Sequence, residues 1–241
     1  MLTDILQAVF AALTVGSIYA LVAVGVTLVY SATGIINFAQ GEFVMLGGMI
    51  MVTLYGEKHW PLVLAVPVTI GITAAVAAAL MKVSYRPERN VSLVTVLIIT
   101  IGASLLVSGS ALKVWDGDVH RFPPFSGDAP VSLAGATVAP QALWVMATTA
   151  VVGVALALFL RFTIYGKAMR ACAIDRGAAA IVGIRVKGMV LLSFVMSGAL
   201  GCVAGIMITP LTMVDYSSGM LLAIKGFAAA MLGGMGNVVG A

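Results

Sequence analysis

The chain has 241 residues, 61% of them hydrophobic and 9% charged, with a mean hydropathy of +1.13. So few charges cannot cover the surface of a water-soluble fold, so the bilayer is the solvent to reason with and soluble function classes are excluded. The formal net charge of +4 sits in short connecting segments, where positive-inside topology explains it and nucleic-acid binding does not.

In chain order, apolar windows fall at 6–30, 43–56, 61–81, 91–114, 141–160, 189–209 and 220–241, judged against about 20 residues per span. They predict an all-α membrane protein, a polytopic helical bundle of about seven hydrophobic segments. The first window has no basic n-region and no small-residue cleavage site, and it is longer than a signal h-region, so it is read as a retained span. The second is short and glycine-bearing. The last reaches Ala241 without a charged stop, which predicts a C-terminal truncation. Cys172 and Cys202 lack ligand-like spacing and are expected to be free thiols.

Lys82, Arg86, Arg89, Arg161, Lys167, Arg170, Arg176, Arg185 and Lys187 fall on one set of connections, against Lys58, Lys113 and Arg121 on the other. The richer side is expected to be cytoplasmic and the N-terminus external. Segment 115–140, with Asp118, Asp128 and several prolines, then becomes an external loop. Ser197, Gly201 and Gly205 form a four-residue stripe of the kind that lets helices approach closely in lipid. Lys225, inside an apolar window, is expected to snorkel to the external interface. The pentapeptide MLGGM occurs at 45–49 and again at 231–235, too weak a sign of an internal repeat to build on.

Two stretches break the apolar pattern. The first, SATGIINFAQGE from Ser31 to Glu42, is polar and glycine-bearing without a single Lys or Arg. Such backbone beside a span is tolerated where it is buried in protein or lines a cavity, so a broken or re-entrant element is expected near 31–42. Thr33, Asn37, Gln40 and Glu42 are candidate path-lining residues. Glu42 has two readings, a path residue or a carboxylate favoured by a helix N-terminus.

The second stretch, from Arg161 to Gly188, is longer than a turn and alanine-rich. It predicts a short amphipathic helix with Ala171, Ile174 and Ala178 on one face. Docking into a partner's groove and lying on anionic lipid both fit that pattern.

The runs YALVAVGVTLVYSATGIINFAQGEFVMLGG and GKAMRACAIDRGAAAIVGI, with the closing LGGMGNVVGA, closely resemble the permeases of the high-affinity branched-chain amino acid ABC transporters. The resemblance covers nearly the whole chain. It implies a single transmembrane domain over 1–241 that pairs with a second related permease, two cytoplasmic ATPase subunits and a periplasmic solute-binding protein in the inner membrane. ATP and Mg would be used by the ATPase partners, and this chain would bind no cofactor and hydrolyse nothing. The loop 161–188 would hold a coupling helix, with Gly166, Arg170, Ala171, Ala173, Asp175, Ala179 and Gly183 at the matching positions. Members of the family normally continue beyond this point with further apolar sequence, which adds to the expectation of truncation.

Other classes fit less well. An ion-coupled secondary transporter would place more ionisable groups at midplane than Glu42, Asp215 and Lys225. An intramembrane enzyme would need a nucleophile with its base or a metal motif, yet His59 and His120 fall in outside loops and neither HExxH nor GxSxG is present. Urea and short-chain amide permeases share the family pattern and are the alternative substrates.

Overall fold

The computed structural model describes residues 2–85, 93–127, 129–133 and 136–236. Among them lie nine α-helices: α1 (Leu2–Thr33), α2 (Gln40–Met51), α3 (Leu62–Ser84), α4 (Leu93–Trp115), α5 (Pro140–Phe162), α6 (Ile164–Ile174), α7 (Arg176–Ile181), α8 (Val186–Thr212) and α9 (Ser218–Gly233). A π-helical turn, Val52–Glu57, prolongs α2. Helices α1, α3, α4, α5 and α8 are long and apolar enough to cross a membrane. The chain is thus an all-α polytopic membrane protein but for one hairpin, β1 (Val131–Leu133) against β2 (Ala136–Val138), antiparallel with Val131 opposite Val138. Each predicted apolar window contains a helix, but α2 and α9 are too short to span. Arg86, Arg89, Asp128 and the last five residues of the closing window lie outside the described residues.

Helix α8 is the axis of the bundle, packed against α1, α2 and α3. Lipid tails are as apolar as leucine, so helices gain by packing closely. The small-residue stripe of α8 does this. A Cβ on Gly205 would strike the Val44 carbonyl oxygen, and one on Gly201 would lie 2.8 Å from the Phe43 Cβ. Every residue of α2 is buried in consequence. Several threonine hydroxyls within the bundle turn back onto their own helices, since lipid offers them no partner: Thr69 donates to the Ala65 carbonyl at 2.7 Å and Thr209 to that of Gly205 at 2.7 Å.

Two of the helices start inside the bundle. The chain stops being helical after Thr33, where Gly34 takes a φ of +67°, and α2 begins six residues later. Its first residue does not lie level with the end of α1. Gln40 shares hydrogen bonds with Ser197, whose hydroxyl donates to the Gly25 carbonyl at 2.8 Å. Gly25 is about 12 Å back along α1 at 1.5 Å per residue. From there α2 runs alongside α8 in the same direction, with Gln40 at Ser197, Val44 at Gly205 and Gly48 at Thr209.

Helix α9 starts at the same depth and runs the other way. Gly219 lies against Gly41, Gly226 against Val22, and the Gly236 carbonyl accepts from the Ser31 hydroxyl at 3.3 Å. Two half-length helices therefore diverge from a shared starting level, one toward the hairpin end and the other toward the α6–α7 end. The break expected near 31–42 is present. The repeated MLGGM, by contrast, does not mark equivalent positions, being interior to α2 in one copy and at the end of α9 in the other.

One expectation is corrected. The amphipathic helix in the 161–188 loop is two helices, because Asp175 adopts an extended backbone (φ −151°, ψ 113°) and caps α7 with its side chain. Ile174 and Ala178 of the expected face point outward and Ala171 is half-buried, while Gly166, Met169, Cys172 and Ala179 are covered by the bundle. Lys225, expected to snorkel, is exposed, and its Nζ lies 5.7 Å from the centre of the Tyr19 ring, a cation–π contact.

Candidate functional site

The break between α1 and α2 is built by short-range hydrogen bonds. Thr33 donates to the Val29 carbonyl at 2.6 Å and accepts from the Ile35 amide at 3.1 Å, closing the helix and turning the chain. Asn37 accepts from the Ala39 amide at 3.1 Å, an Asx turn that leads into α2. Its Nδ2 is buried and has no partner among the described residues.

Gln40 and Glu42 then point into the bundle, 0% and 2% exposed. The Gln40 amide donates to the Ser197 carbonyl at 3.1 Å, and the Ser197 hydroxyl also hydrogen-bonds Gln40 Oε1. Glu42 Oε1 accepts from Ser104 of α4 at 2.7 Å, while Oε2 is buried without a partner among the described residues. The carboxylate sits in the first turn of α2 and against the first turn of α9, where a Cβ on Gly219 would lie 2.7 Å from Oε2. Both helix dipoles present their positive ends there, which favours a negative group in the absence of a cation. Thr33, Asn37, Gln40 and Glu42 are thus gathered on one interrupted strand of backbone, all buried, and joined to α4, α8 and α9.

Ser104, Ser197 and Gly219 were not singled out as partners of the break from sequence. Ser104 and Ser197 are isolated hydroxyls in apolar helices, a pattern shared with serines that merely bond their own backbone. At the start of α9, burial pushes the Asp215 carboxyl up, but hydrogen bonds from Ser218 and Ser217 side chains and amides overcome this and hold it below the usual range. Ser218 Oγ donates to Asp215 at 2.5 Å and accepts from its amide at 3.1 Å, so the start of α9 is fastened locally.

The second candidate region is the α6–α7 end. Thr163 caps α6 by accepting from the Gly166 amide at 2.9 Å. Gly166 is buried against α5, where a Cβ would lie 2.5 Å from the Leu160 Cα. Asp175 caps α7 through the Gly177 and Ala178 amides at 2.7 and 3.0 Å. Gly183 (φ +89°) ends α7 with paired bonds, its own amide to Ala180 and that of Ile184 to Ala179, both 3.0 Å. Ala179 is buried, Ala171 half-buried, and Arg170, Ala173 and Asp175 are exposed. Arg170 and Ala173 also line a cleft of about 740 Å³, closed by the second halves of α1 and α5 and edged by Arg161.

Within the described residues, Lys82, Arg161, Lys167, Arg170, Arg176, Arg185 and Lys187 fall at this end, and Lys58, Lys113 and Arg121 at the hairpin end. The charge asymmetry read from sequence therefore corresponds to two physical ends of the bundle. At the hairpin end His120 is held structurally, Nε2 2.9 Å from the Trp115 carbonyl and its backbone paired with Val214.

Residues 8–241 match the family described as branched-chain amino acid transport system, permease component. The chain is 34% identical over 251 residues to the high-affinity branched-chain amino acid transport system permease protein LivH of Escherichia coli strain K12, covering 98% of this chain and 81% of that protein. It is 32% identical over 249 residues to the corresponding permease BraD of Pseudomonas aeruginosa, with the same coverage of 98% and 81%. A probable LivH of Methanocaldococcus jannaschii is 28% identical over 240 residues, covering 95% of this chain and 74% of that protein. No solved structure matches the chain at a significant level. The chain belongs to the family of permease components of branched-chain amino acid transport systems.

Proposed function

We propose that this chain is the transmembrane permease subunit of an ABC importer that carries leucine, isoleucine and valine across the inner membrane. The observation that carries the reading is the family match over 8–241, borne by a bundle with five helices able to span. ATP hydrolysis belongs to partner ATPase subunits, which use the ATP and Mg, and delivery belongs to a periplasmic binding protein. A second related permease and two ATPase subunits complete the assembly. Residues 1–241 act as one transmembrane domain, with the N-terminus and segment 115–140 external and loop 161–188 cytoplasmic.

In this reading α6 and α7 are the surface that meets the ATPase. Short capped helices held on a bundle by Gly166, Met169, Cys172 and Ala179 leave Arg170, Ala173 and Gly183, with the capping Asp175, exposed to a partner. Thr33, Asn37, Gln40 and Glu42 act on the translocation path by seating α2 and α9, two helices that start within the bundle where transporters place solute sites. The family pattern shared with urea and short-chain amide permeases keeps those solutes as the second reading.

Uptake of labelled leucine and labelled urea is to be measured in a strain lacking this subunit, with and without the gene restored. Leucine uptake is expected to fall at least tenfold and to return on complementation. Loss of urea uptake with leucine uptake intact would replace the proposed solute.

A further inference from the structure

The coupling loop and the α1–α2 break are separate in sequence and adjacent in space. Helix α6 packs on both α1 and α8. Arg176, the first residue of α7, is half-buried, and its side chain reaches Gly34. A Cβ on Gly34 would lie 2.8 Å from a guanidinium nitrogen, in a residue already at φ +67°. Glycine is required at 34 by its backbone, and a side chain there would also have to displace the Arg176 guanidinium.

The placement has an electrostatic cause. A helix C-terminus favours a cation, and the last turn of α1 contains no basic residue. Arg176 brings one from the loop. Its own helix gives it no such reason, since the start of α7 is the positive end of that helix's dipole. The neighbouring Cys172 thiol is pushed up by burial and drawn back by the charge of Arg176, which agrees with a guanidinium folded inward toward α1.

Resting on the coupling role proposed for the loop, we infer that Arg176 is a positioning residue that ties the α6–α7 loop to Gly34, so that movement of the loop moves the break that seats Gln40 and Glu42. The chain between them is short: Gly34 is followed within three residues by the Asx turn at Asn37 and within six by Gln40, whose side chain is bound to α8. A displacement at Gly34 has few residues in which to dissipate. The α1–α2 break becomes the receiving end of the ATPase signal, and Arg176 the link.

The test uses the complex purified from native membranes through a tag on this chain and reconstituted into proteoliposomes, with ATP hydrolysis and solute uptake measured together. Arg176→Ala is expected to leave subunit composition and ATP hydrolysis within twofold of wild type and to lower uptake per ATP by about tenfold, the usual range for loss of a coupling contact. Arg176→Lys, which keeps the charge at the end of α1, is expected to recover most of that ratio. Gly34→Ala should lower it as well, and Gly34→Ala with Arg176→Ala should be no worse than Gly34→Ala alone, because both act through one contact.

An unchanged ratio in Arg176→Ala overturns the inference, as does an additive double variant. Loss of the ATPase subunits from the Arg176→Ala complex also overturns it, since Arg176 would then be a docking residue. A wild-type complex without any copurifying ATPase overturns the coupling reading itself, and the inference with it. A wild-type complex that imports a different solute corrects only the substrate, and that solute then serves as the reporter.

Discussion

The break at 34–42 and the loop at 161–188 both interrupt apolar sequence with polar residues, yet they are stabilised in opposite ways. In the loop the polar groups are satisfied at home: Thr163, Asp175 and Gly183 each close a helix end within a few residues of themselves. In the break, the decisive bonds reach far along the chain, from Gln40 to Ser197 and from Glu42 to Ser104. Water explains the contrast. An exposed loop can leave a donor to solvent at little cost, whereas a helix that begins inside the bundle has to draw most of its polar partners from neighbouring helices.

The comparison can be broken most severely at the glycine that lets α2 lie on α8. Gly205→Val would drive a side chain into the Val44 backbone, and overpacking of that kind should cost about 3 kcal/mol or more because backbone cannot yield as a flexible side chain does. Thermal unfolding in detergent is expected to show a much lower midpoint and poor membrane yield. A midpoint equal to wild type would mean that α2 is not held where it is described.

A smaller effect separates the buried network from simple packing. Ser104→Ala removes the hydrogen bond to Glu42 Oε1, leaving the buried carboxyl without a partner among the described residues, at a cost of about 2 kcal/mol. Ser104→Ala combined with Glu42→Gln should lose less than the sum of the two single variants, because both act on one hydrogen-bonded pair. If the two substitutions simply add, the carboxylate is not the source of the penalty.

The smallest effect belongs to the loop. Asp175→Ala removes the α7 cap and should weaken that helix by about 1 kcal/mol. Hydrogen exchange is expected to rise in 176–183 and stay unchanged across α8. A shift in the unfolding midpoint of the whole bundle would show that the loop is not locally stabilised, and the contrast drawn here would fail.

Much of the molecule was legible in the linear sequence. Apolar length and the charge asymmetry identified a polytopic bundle with two distinct ends, and the polar stretch without a Lys or Arg marked the interruption near 31–42. The small-residue stripe at Ser197, Gly201 and Gly205 foretold close packing on α8. Periodicity misjudged the loop, reading one amphipathic helix where Asp175 makes two, because a hydrophobic pattern does not register an extended residue that caps the next turn. Composition alone also left Lys225 without its Tyr19 partner.

What the sequence by itself determined is local: which segments are apolar enough to be helical in lipid, where glycine and short polar side chains can end or start a helix, and which end carries the cations. Tertiary structure alone decided the depth at which α2 and α9 begin, the meeting of Gly41 with Gly219, the pairing of Glu42 with Ser104 and the reach of Arg176 to Gly34. Hydropathy and capping depend on a residue and its neighbours within about one turn. Depth and long-range pairing depend on which helices lie side by side, and in a bilayer that is settled by shape and by the cost of leaving buried polar groups unpaired.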